Sequence, residues 1–529
     1  MVWISPIVGM SFGLLPTADY GAVISACRRS CEDRAPRLDR PVSRRQELRV
    51  SWKCLVLSVV LVAGCTTSQG SPAPVAKVDE PEREAALSSF YRQTLDWRPC
   101  DDLQCAKLTV PVDYRRPDGP RFTLPVIKAA ATRPGPLGTL VAGAGGPGQS
   151  GVAMVKDIAG TWPAAVRERF DLVGFDPRGI GGSEPRLRCD TEGEPASKVP
   201  DGLPLIGAEV PSTRQYAEAC LRGTGENVLR HLGTDDVVSD LDVLRVVTGQ
   251  EKLNYLGYSY GTRIGQLYAD RFPKKIRAMV LDGVDNTYLD WRADTVEQAK
   301  GVEDTLLIYA KQCATRTGKP CPGRDETEIL AAVDRVLAKA DKAGDGSALR
   351  QEISAKLTFP ADWAELSGII LAADAPADDS PDEPADEPEP SGDTTDALTV
   401  VNCLDRAHPT ELAAYEDAAR ELRRVSRLSS GTEALGCAFL PTGSALSRTV
   451  RAEGAPPILL VGTTKDAATP YGWARRLLES LKSAVLLSNE DVGHAVFGGG
   501  SSCVDERVSR YLIDLTLPAA PARCATGPV

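Results

Sequence analysis

The chain has 529 residues, of which 42% are hydrophobic and 25% are charged, and its formal net charge is -11. These fractions are ordinary for a globular protein, so they exclude an intrinsically disordered chain and a protein with many membrane spans. Ten acidic side chains and no Lys or Arg lie between Asp374 and Asp396, so this one segment supplies nearly all of the net charge. We interpret it as a solvated loop, and no basic surface indicates a nucleic-acid partner.

The N-terminal region carries a signal for export. An apolar run from Cys54 to Gly64 follows basic residues at positions 44–53 and is too short to span a bilayer. It leads into Leu-Val-Ala-Gly-Cys at 61–65, which resembles the lipobox of bacterial lipoproteins and makes Cys65 the expected lipidation site. We therefore assign residues 42–64 to a lipoprotein signal peptide and 65–84 to a polar tether. Ordinary signal-peptidase cleavage, which gives a free secreted product, is the alternative.

This signal is preceded by residues 1–41, which do not fit a signal peptide. They place Cys, Pro and acidic residues ahead of the basic region. We expect translation to begin near Val42 or Val50, and a peptide from residues 1–41 in the cell's proteome would refute this. The expected mature protein is a monomer, held by lipid at the outer face of the cytoplasmic membrane.

Ten cysteines follow Cys65, and an even number in an exported protein predicts disulfides. Sequence does not prove the connectivity, but pairing of successive cysteines closes five short loops and is the pattern that we expect. The five pairs would be Cys100–Cys105, Cys189–Cys220, Cys313–Cys321, Cys403–Cys437 and Cys503–Cys524. A zinc site would require clustered spacings such as C-x2-C, which are absent, so we expect no metal.

Short apolar runs alternate with helical patterns, which predicts a mostly parallel, doubly wound sheet. Residues 105–114 and 121–130 predict an opening hairpin. Later strand-like runs lie at 139–143, 170–175, 252–258, 277–281, 457–461 and 484–487, and an amphipathic helical stretch lies at 471–481. The order of these elements favours one large α/β core.

The region 285–450 interrupts this alternation, because its pattern is mostly helical. Helices are predicted at 296–316, 326–343 and 410–428, and the acidic Pro-rich loop 374–396 separates two of them. Strands return afterwards, so we interpret 285–450 as a helical cap inserted into one core. The two parts of that core would be residues 85–284 and 451–529.

Residues 257–261, Gly-Tyr-Ser-Tyr-Gly, match the motif G-x-S-x-G. In this motif a strand turns sharply into a helix, so that the serine hydroxyl projects from the edge of the sheet. The residues before the motif are strand-like and those after it are helix-like, which is the setting that the motif requires. The pattern predicts an α/β-hydrolase fold with Ser259 as nucleophile.

A serine nucleophile needs a histidine base and an acid that orients it, and in this fold both follow the serine along the chain. Of the three histidines, His231 precedes Ser259 and His408 lies in the predicted cap, which leaves His494 as the base. Asp466 ends a strand-like run between Ser259 and His494 and is the predicted acid. The alternatives Glu490 and Asp491 lie very close to His494 in sequence.

The transition state also needs donors for its oxyanion. We expect the backbone N–H of Tyr260 and that of Gly146, in the glycine-rich loop 143–148. The same loop fits the dinucleotide pattern G-x-G-x-x-G. Pro147 removes a donor from that pattern and no acidic residue follows at the expected distance, so we expect no cofactor.

In this order the motifs resemble the secreted bacterial tripeptidyl aminopeptidases, relatives of the proline iminopeptidases. The resemblance spans most of the mature chain and rests on five stretches: 145–151, 170–179, 254–262 with 280–283, 466–470 and 493–494. Two positions depart from the family pattern: Ala-Gly-Ala at 142–144, where an Asn-Pro-Gly type of lead-in is usual, and Ala495, where Gly or Thr is common.

The resemblance implies release of short peptides, tripeptides first, from a free N-terminus through an acyl-enzyme, with the cap excluding longer approaches. It also implies an acid in the cap that binds the substrate's ammonium, for which Asp405 is the candidate, although an exposed acid beside a disulfide fits equally. A carboxylesterase with the same triad is the main alternative. A non-catalytic solute-binding lipoprotein is a further one.

Overall fold

The computed structural model describes residues 80–191, 193, 200–315, 320–375, 392–442 and 447–525. The predicted signal peptide, Cys65, most of the tether and most of the acidic loop lie outside these residues. Within the described ranges, none of the helices combines the length and the apolar character that a membrane crossing requires.

One ten-stranded sheet runs in the order β1-β2-β3-β5-β4-β6-β7-β8-β9-β10. The strands are β1 (Arg98–Cys100), β2 (Leu103–Pro111), β3 (Arg121–Ala129), β4 (Thr139–Gly143), β5 (Asp171–Phe175), β6 (Leu253–Tyr258), β7 (Ile276–Asp282), β8 (Leu459–Lys465), β9 (Val485–Val492) and β10 (Ala522–Ala525). The pairings of β1 with β2, β2 with β3 and β3 with β5 are antiparallel, and the other six are parallel. The predicted hairpin and the mostly parallel sheet are confirmed.

Helices connect the strands and cover both faces of the sheet. They are α1 (Glu80–Tyr91), α2 (Gly151–Thr161), α3 (Ala164–Arg169), α4 (Val210–Thr224), α5 (Glu226–Leu229), α6 (Thr234–Val247), α7 (Tyr260–Arg271), α8 (Trp291–Thr315), α9 (Glu326–Ala343), α10 (Gly346–Thr358), α11 (Trp363–Asp374), α12 (Gly392–Asp405), α13 (Leu412–Val425), α14 (Tyr471–Ser480) and α15 (Ser502–Asp514). Because α1 begins at Glu80, the last residues of the predicted tether are helical.

The central strands read as continuous apolar runs because both of their faces are buried. Every residue of β4 is buried, as are the first five residues of β6 and of β8. Side chains from the two faces belong to two separate apolar clusters, one on each side of the sheet. A sheet held in this way is a rigid support for the loops at its carboxyl edge.

Between β7 and β8 the described chain is mostly helical, as predicted for the cap. Helices α8 to α11 share an apolar core of their own, which includes Tyr309, Val333 and Trp363. Helix α12 instead packs into one of the clusters on the sheet, through residues such as Val400 and Leu404. Helix α13 does the same through Tyr415 and Ala419, so the insertion combines a small core of its own with two helices that belong to the main core.

Local signals set some helix ends closely. Helix α9 has the bounds predicted for residues 326–343, because the side chain of Asp325 accepts a hydrogen bond from Glu328 N and Gly344 ends the helix in the left-handed region. All five predicted cysteine pairs are bonded in the structure, which confirms the predicted disulfide pattern.

Candidate active site

The predicted site residues gather at one edge of the sheet, because parallel strands all end on the same side. The loop 144–148 follows β4, Ser259 follows β6, Asp466 follows β8, and His494 follows β9 after a single glycine. The main-chain N–H of Ser259 donates to the carbonyl oxygen of Asp282 at the end of β7, at 2.9 Å.

Ser259 occupies the sharp turn between β6 and α7. Its φ of +52° and ψ of -119° lie where a non-glycine residue is strained, as a nucleophile elbow requires. The flanking glycines are needed for space. A Cβ atom on Gly257 would lie 2.4 Å from the carbonyl oxygen of Gly261, and one on Gly261 would lie 2.4 Å from that of Gly143. The motif thus packs the elbow directly against the loop after β4.

Asp466 and His494 form a buried pair. Nδ1 of His494 lies 2.9 Å from Oδ2 and 3.0 Å from Oδ1 of Asp466. Backbone N–H groups of Ala468 and Thr469 donate to Asp466 Oδ1, and the hydroxyl of Thr469 donates to Oδ2 at 3.0 Å. These contacts fix the carboxylate, and the carboxylate in turn fixes the ring through Nδ1.

Among the residues that the structure describes, the hydrogen bonds of His494 all use Nδ1, and none of them uses Nε2. Gly283 follows Asp282, whose carbonyl oxygen accepts the hydrogen bond from Ser259 N. Gly283 also packs against the ring of His494, because a Cβ atom on Gly283 would lie 2.8 Å from His494 Cε1. Within the described residues, no hydrogen bond joins Ser259 Oγ to Nε2. Such bonds are often long in unliganded enzymes and tighten when substrate binds.

The two alternative acids lie elsewhere. Glu490 makes an ion pair with Arg523 at 2.6 Å, and Asp491 Oδ1 accepts from the backbone N–H of Val492. His231 pairs with Asp236 at 3.0 Å. Of the predicted candidates, the structure therefore brings Asp466 alone to the ring of His494.

The loop after β4 lies beside the serine. A Cβ atom on Gly145 would lie 3.3 Å from Cβ of Ser259, and Gly145 N already donates to Oε1 of Gln149 at 3.1 Å. Gly146 is the next residue along the loop, and its backbone N–H is the predicted donor to the oxyanion. Tyr260 is the first residue of α7, so its N–H has no partner inside the helix. One predicted oxyanion donor, Gly146, therefore lies in the loop beside the nucleophile, and the other, Tyr260, is the first residue of the helix that follows it.

Asp405 is buried, but its carboxylate is already used by this chain's own donors. Oδ2 pairs with Arg263 at 2.9 Å and accepts from the Thr234 hydroxyl, and Oδ1 accepts from Thr234 N at 2.8 Å. Arg263 also pairs with Asp285 at 2.8 Å. Because Asp405 is buried, the alternative of an exposed acid beside the disulfide is wrong. Because donors of this chain already bind its carboxylate, the contacts do not favour a role in binding the substrate's ammonium group. They indicate instead that Asp405 joins α12 to α7 directly behind the nucleophile.

A further acid, Asp282, was not selected as a site residue from the sequence. It is fully buried at the end of β7, and its Oδ2 accepts from the backbone N–H of Phe497, three residues after His494, at 2.8 Å. Burial raises the pKa of this carboxyl to about 7. Two signals in the sequence pointed to it: its position at the end of a strand-like run, and the stretch 280–283, which is part of the family resemblance. Its contact shows that it holds the histidine loop against the sheet.

The electrostatics of the pair predict the pH dependence. Burial alone would lower the pKa of His494, but the charge and hydrogen bond of Asp466, with the charges of Asp282 and Asp285, raise it above its ordinary value of 6.5. Only the neutral ring can act as base, so kcat/KM should fall as the pH drops through an apparent pKa above 6.5. The measurement is a pH–rate profile, and a rate that stays flat down to about pH 4 would contradict the role of His494.

A serine at a strand–helix elbow, a buried Asp–His pair on the following strand ends and a glycine-rich loop define the class: this is a serine hydrolase of the α/β-hydrolase fold. The family described as "TAP-like protein" matches residues 427–524. The chain is 34% identical to the serine protease Hip1 of Mycobacterium tuberculosis, with 91% of this chain and 99% of that protein covered.

It is also 31% identical to the tripeptidyl aminopeptidase of Streptomyces lividans, with 84% and 90% of the two chains covered. Carboxylesterase B of Mycobacterium tuberculosis is 33% identical, with 89% and 95% covered. The protein therefore belongs to the tripeptidyl aminopeptidase-like family of serine hydrolases, which confirms the predicted resemblance. Membership of this enzyme family does not support the alternative of a non-catalytic solute-binding lipoprotein.

Proposed function

We propose that the protein is a serine exopeptidase that releases short peptides, tripeptides first, from the free N-terminus of its substrates through an acyl-enzyme. One structural observation carries the exopeptidase part: the inserted region packs against each of the three loops that hold the proposed catalytic groups. A long chain that must pass through the site from both sides would meet the cap, whereas a chain end needs access from one side only. The peptide part is supported by the protease and aminopeptidase relatives.

The contacts of the cap are specific. On the acid loop, Gln298 of α8 donates to the carbonyl oxygen of Ala468 at 2.8 Å. On the loop after β4, a Cβ atom on Gly148 would lie 2.6 Å from the carbonyl oxygen of Thr394 in α12. On the histidine loop, the ring of Phe359 lies 6.3 Å from that of His494. Each contact involves a different part of the cap, so the cap touches all three loops that hold the proposed catalytic groups.

The proposed reaction follows from the geometry. Ser259 attacks the scissile carbonyl carbon while Nε2 of His494 takes its proton, and Asp466 stabilises the resulting imidazolium. The N–H groups of Tyr260 and Gly146 donate hydrogen bonds to the former carbonyl oxygen and so stabilise its negative charge. His494 then gives its proton to the departing amine. Water, activated by the same ring, hydrolyses the ester on Ser259 and frees the peptide.

A carboxylesterase is the second candidate, and the carboxylesterase B relative is the observation that favours it. The same triad cleaves esters, because the alkoxide or amine departs from the same tetrahedral intermediate. The two functions differ in what the site binds on either side of the scissile bond. Substrate profiling therefore separates them.

The test compares the wild-type protein, purified in its oxidised form, on fluorogenic amides of one, two and three residues and on short acyl esters. Each peptide is supplied with a free and with an acetylated N-terminus. The proposal predicts rapid release from the free tripeptide amide and little from its acetylated twin. Turnover of esters alone would move the assignment to a carboxylesterase, and equal cleavage of the acetylated peptides would contradict exopeptidase specificity.

Export and lipid anchoring are part of the proposal. The lipobox-like sequence that ends at Cys65 and the five disulfides support it, because disulfides persist in oxidising compartments. We expect the wild-type protein in the detergent phase of a Triton X-114 extract of cells. Cys65→Ala should instead remain as an unprocessed precursor that lacks the lipid. A processed Cys65→Ala protein in the aqueous phase would favour the free secreted product.

A further inference from the structure

Phe359 is a large apolar side chain that remains 46% exposed although it lies beside a buried catalytic pair. Its ring centroid is 6.3 Å from that of His494, and the two planes are inclined by 54°. Apolar rings usually reduce their exposure by packing, and the neighbouring aromatic Trp363 does so in the core of the cap. The exposed face of Phe359 is therefore a surface that a substrate can cover.

The backbone that carries this ring is held in place. Phe359 lies in extended conformation between α10 and α11, and its carbonyl oxygen accepts from Asp362 N at 2.9 Å. The residues on either side are anchored, since Leu357 and Trp363 are almost fully buried and Trp363 Nε1 donates to Leu357 O at 3.2 Å. A rigid aromatic side chain gives contact area at little cost in conformational entropy.

The next residue, Pro360, shows which catalytic loop lies beside the ring of Phe359. Cδ of Pro360 lies 3.5 Å from the position of a Cβ atom on Gly493, the residue before His494. The segment 359–360 thus rests on the histidine loop, whereas α12 rests on the oxyanion loop. His494 must reach the departing amine to protonate it, so groups around its ring border the leaving group.

From this geometry we infer that Phe359 is a specificity-determining residue of the leaving-group subsite, where it contacts the side chain of the first residue after the scissile bond. This inference rests on the proposed exopeptidase function. The preferred substrates should be peptides with an aromatic or large aliphatic residue immediately after the scissile bond. Glycine there would leave the exposed ring without a partner.

The experiment uses free tetrapeptide amides Ala-Ala-Ala-X, with X as Phe, Leu, Ala or Gly, and quantifies release of tri-alanine by mass spectrometry. A second series varies the third residue and keeps X as Phe. Wild-type kcat/KM should favour X as Phe over Gly by about ten-fold, the size expected for one apolar contact. In Phe359→Ala this ratio should approach one, and Phe359→Leu should keep part of it.

The ratio is informative even if Phe359→Ala folds less well, because both substrates are compared on the same active molecules. Leu371→Ala is the matched control, since Leu371 is a 38% exposed apolar residue of the same cap, and it should keep the wild-type ratio. An unchanged ratio in Phe359→Ala, or a changed preference in the second series instead, would overturn the inference. A wild-type protein that cleaves none of the peptides would contradict the proposed function itself.

Discussion

Ser259→Ala should lower kcat for the best peptide by about 10⁵- to 10⁶-fold, because no other group in the site can form the covalent intermediate. The loss of the hydroxyl changes neither the fold of the elbow nor the oxyanion loop, so peptide binding should persist. The measurement is single-turnover kinetics of wild-type protein and Ser259→Ala at equal protein concentration.

The control is Ser89→Ala, which removes the hydroxyl of an exposed serine on α1 and should leave the rate unchanged. Wild-type protein should also be labelled by a fluorophosphonate on Ser259, and Ser259→Ala should not be. A variant that retains more than about one part in a thousand of the rate would show that a different nucleophile does the chemistry.

Asp466→Asn should lower kcat by about 10⁴-fold with little change in fold. The backbone N–H groups of Ala468 and Thr469 both donate to Oδ1, so they would hold the amide oxygen of Asn in that position. The amide NH2 would then face Nδ1 of His494 and donate to it. That places the ring proton on Nε2, the nitrogen that must accept the proton of Ser259.

The matched control is Asp491→Asn, which changes an acid close to His494 in sequence that does not contact the ring. It should retain nearly full activity. The nitrogen chemical shifts of His494 report the tautomer directly, and should show the proton on Nδ1 in the wild type and on Nε2 in Asp466→Asn. A loss of less than about ten-fold would contradict the assignment of Asp466 as the orienting acid.

Much of the fold could be predicted because its signals are local. The buried strands are continuous apolar runs, the elbow has glycines where a side chain would collide with backbone, and α9 carries its own end signals at Asp325 and Gly344. The edge strand β10 was missed, since its four residues alternate in burial and pair only with β9.

The site was only partly accessible from the sequence. Chain order and the small number of histidines were enough to select Ser259, Asp466 and His494 as candidates. The partners of Asp405 and Asp282 could not be predicted, because Arg263 and Phe497 are 142 and 215 residues away along the chain. The position of Phe359 beside His494 likewise depends on how the cap packs, for which the sequence carries no periodic signal.

The most direct test of the central claim is the product pattern of one unmodified ten-residue peptide, followed by mass spectrometry with wild-type protein and with Ser259→Ala. We expect the wild type to remove three-residue fragments stepwise from the free N-terminus and Ser259→Ala to leave the peptide intact. Cleavage inside an N-terminally acetylated version of the peptide, or the same products from Ser259→Ala, would contradict the central claim.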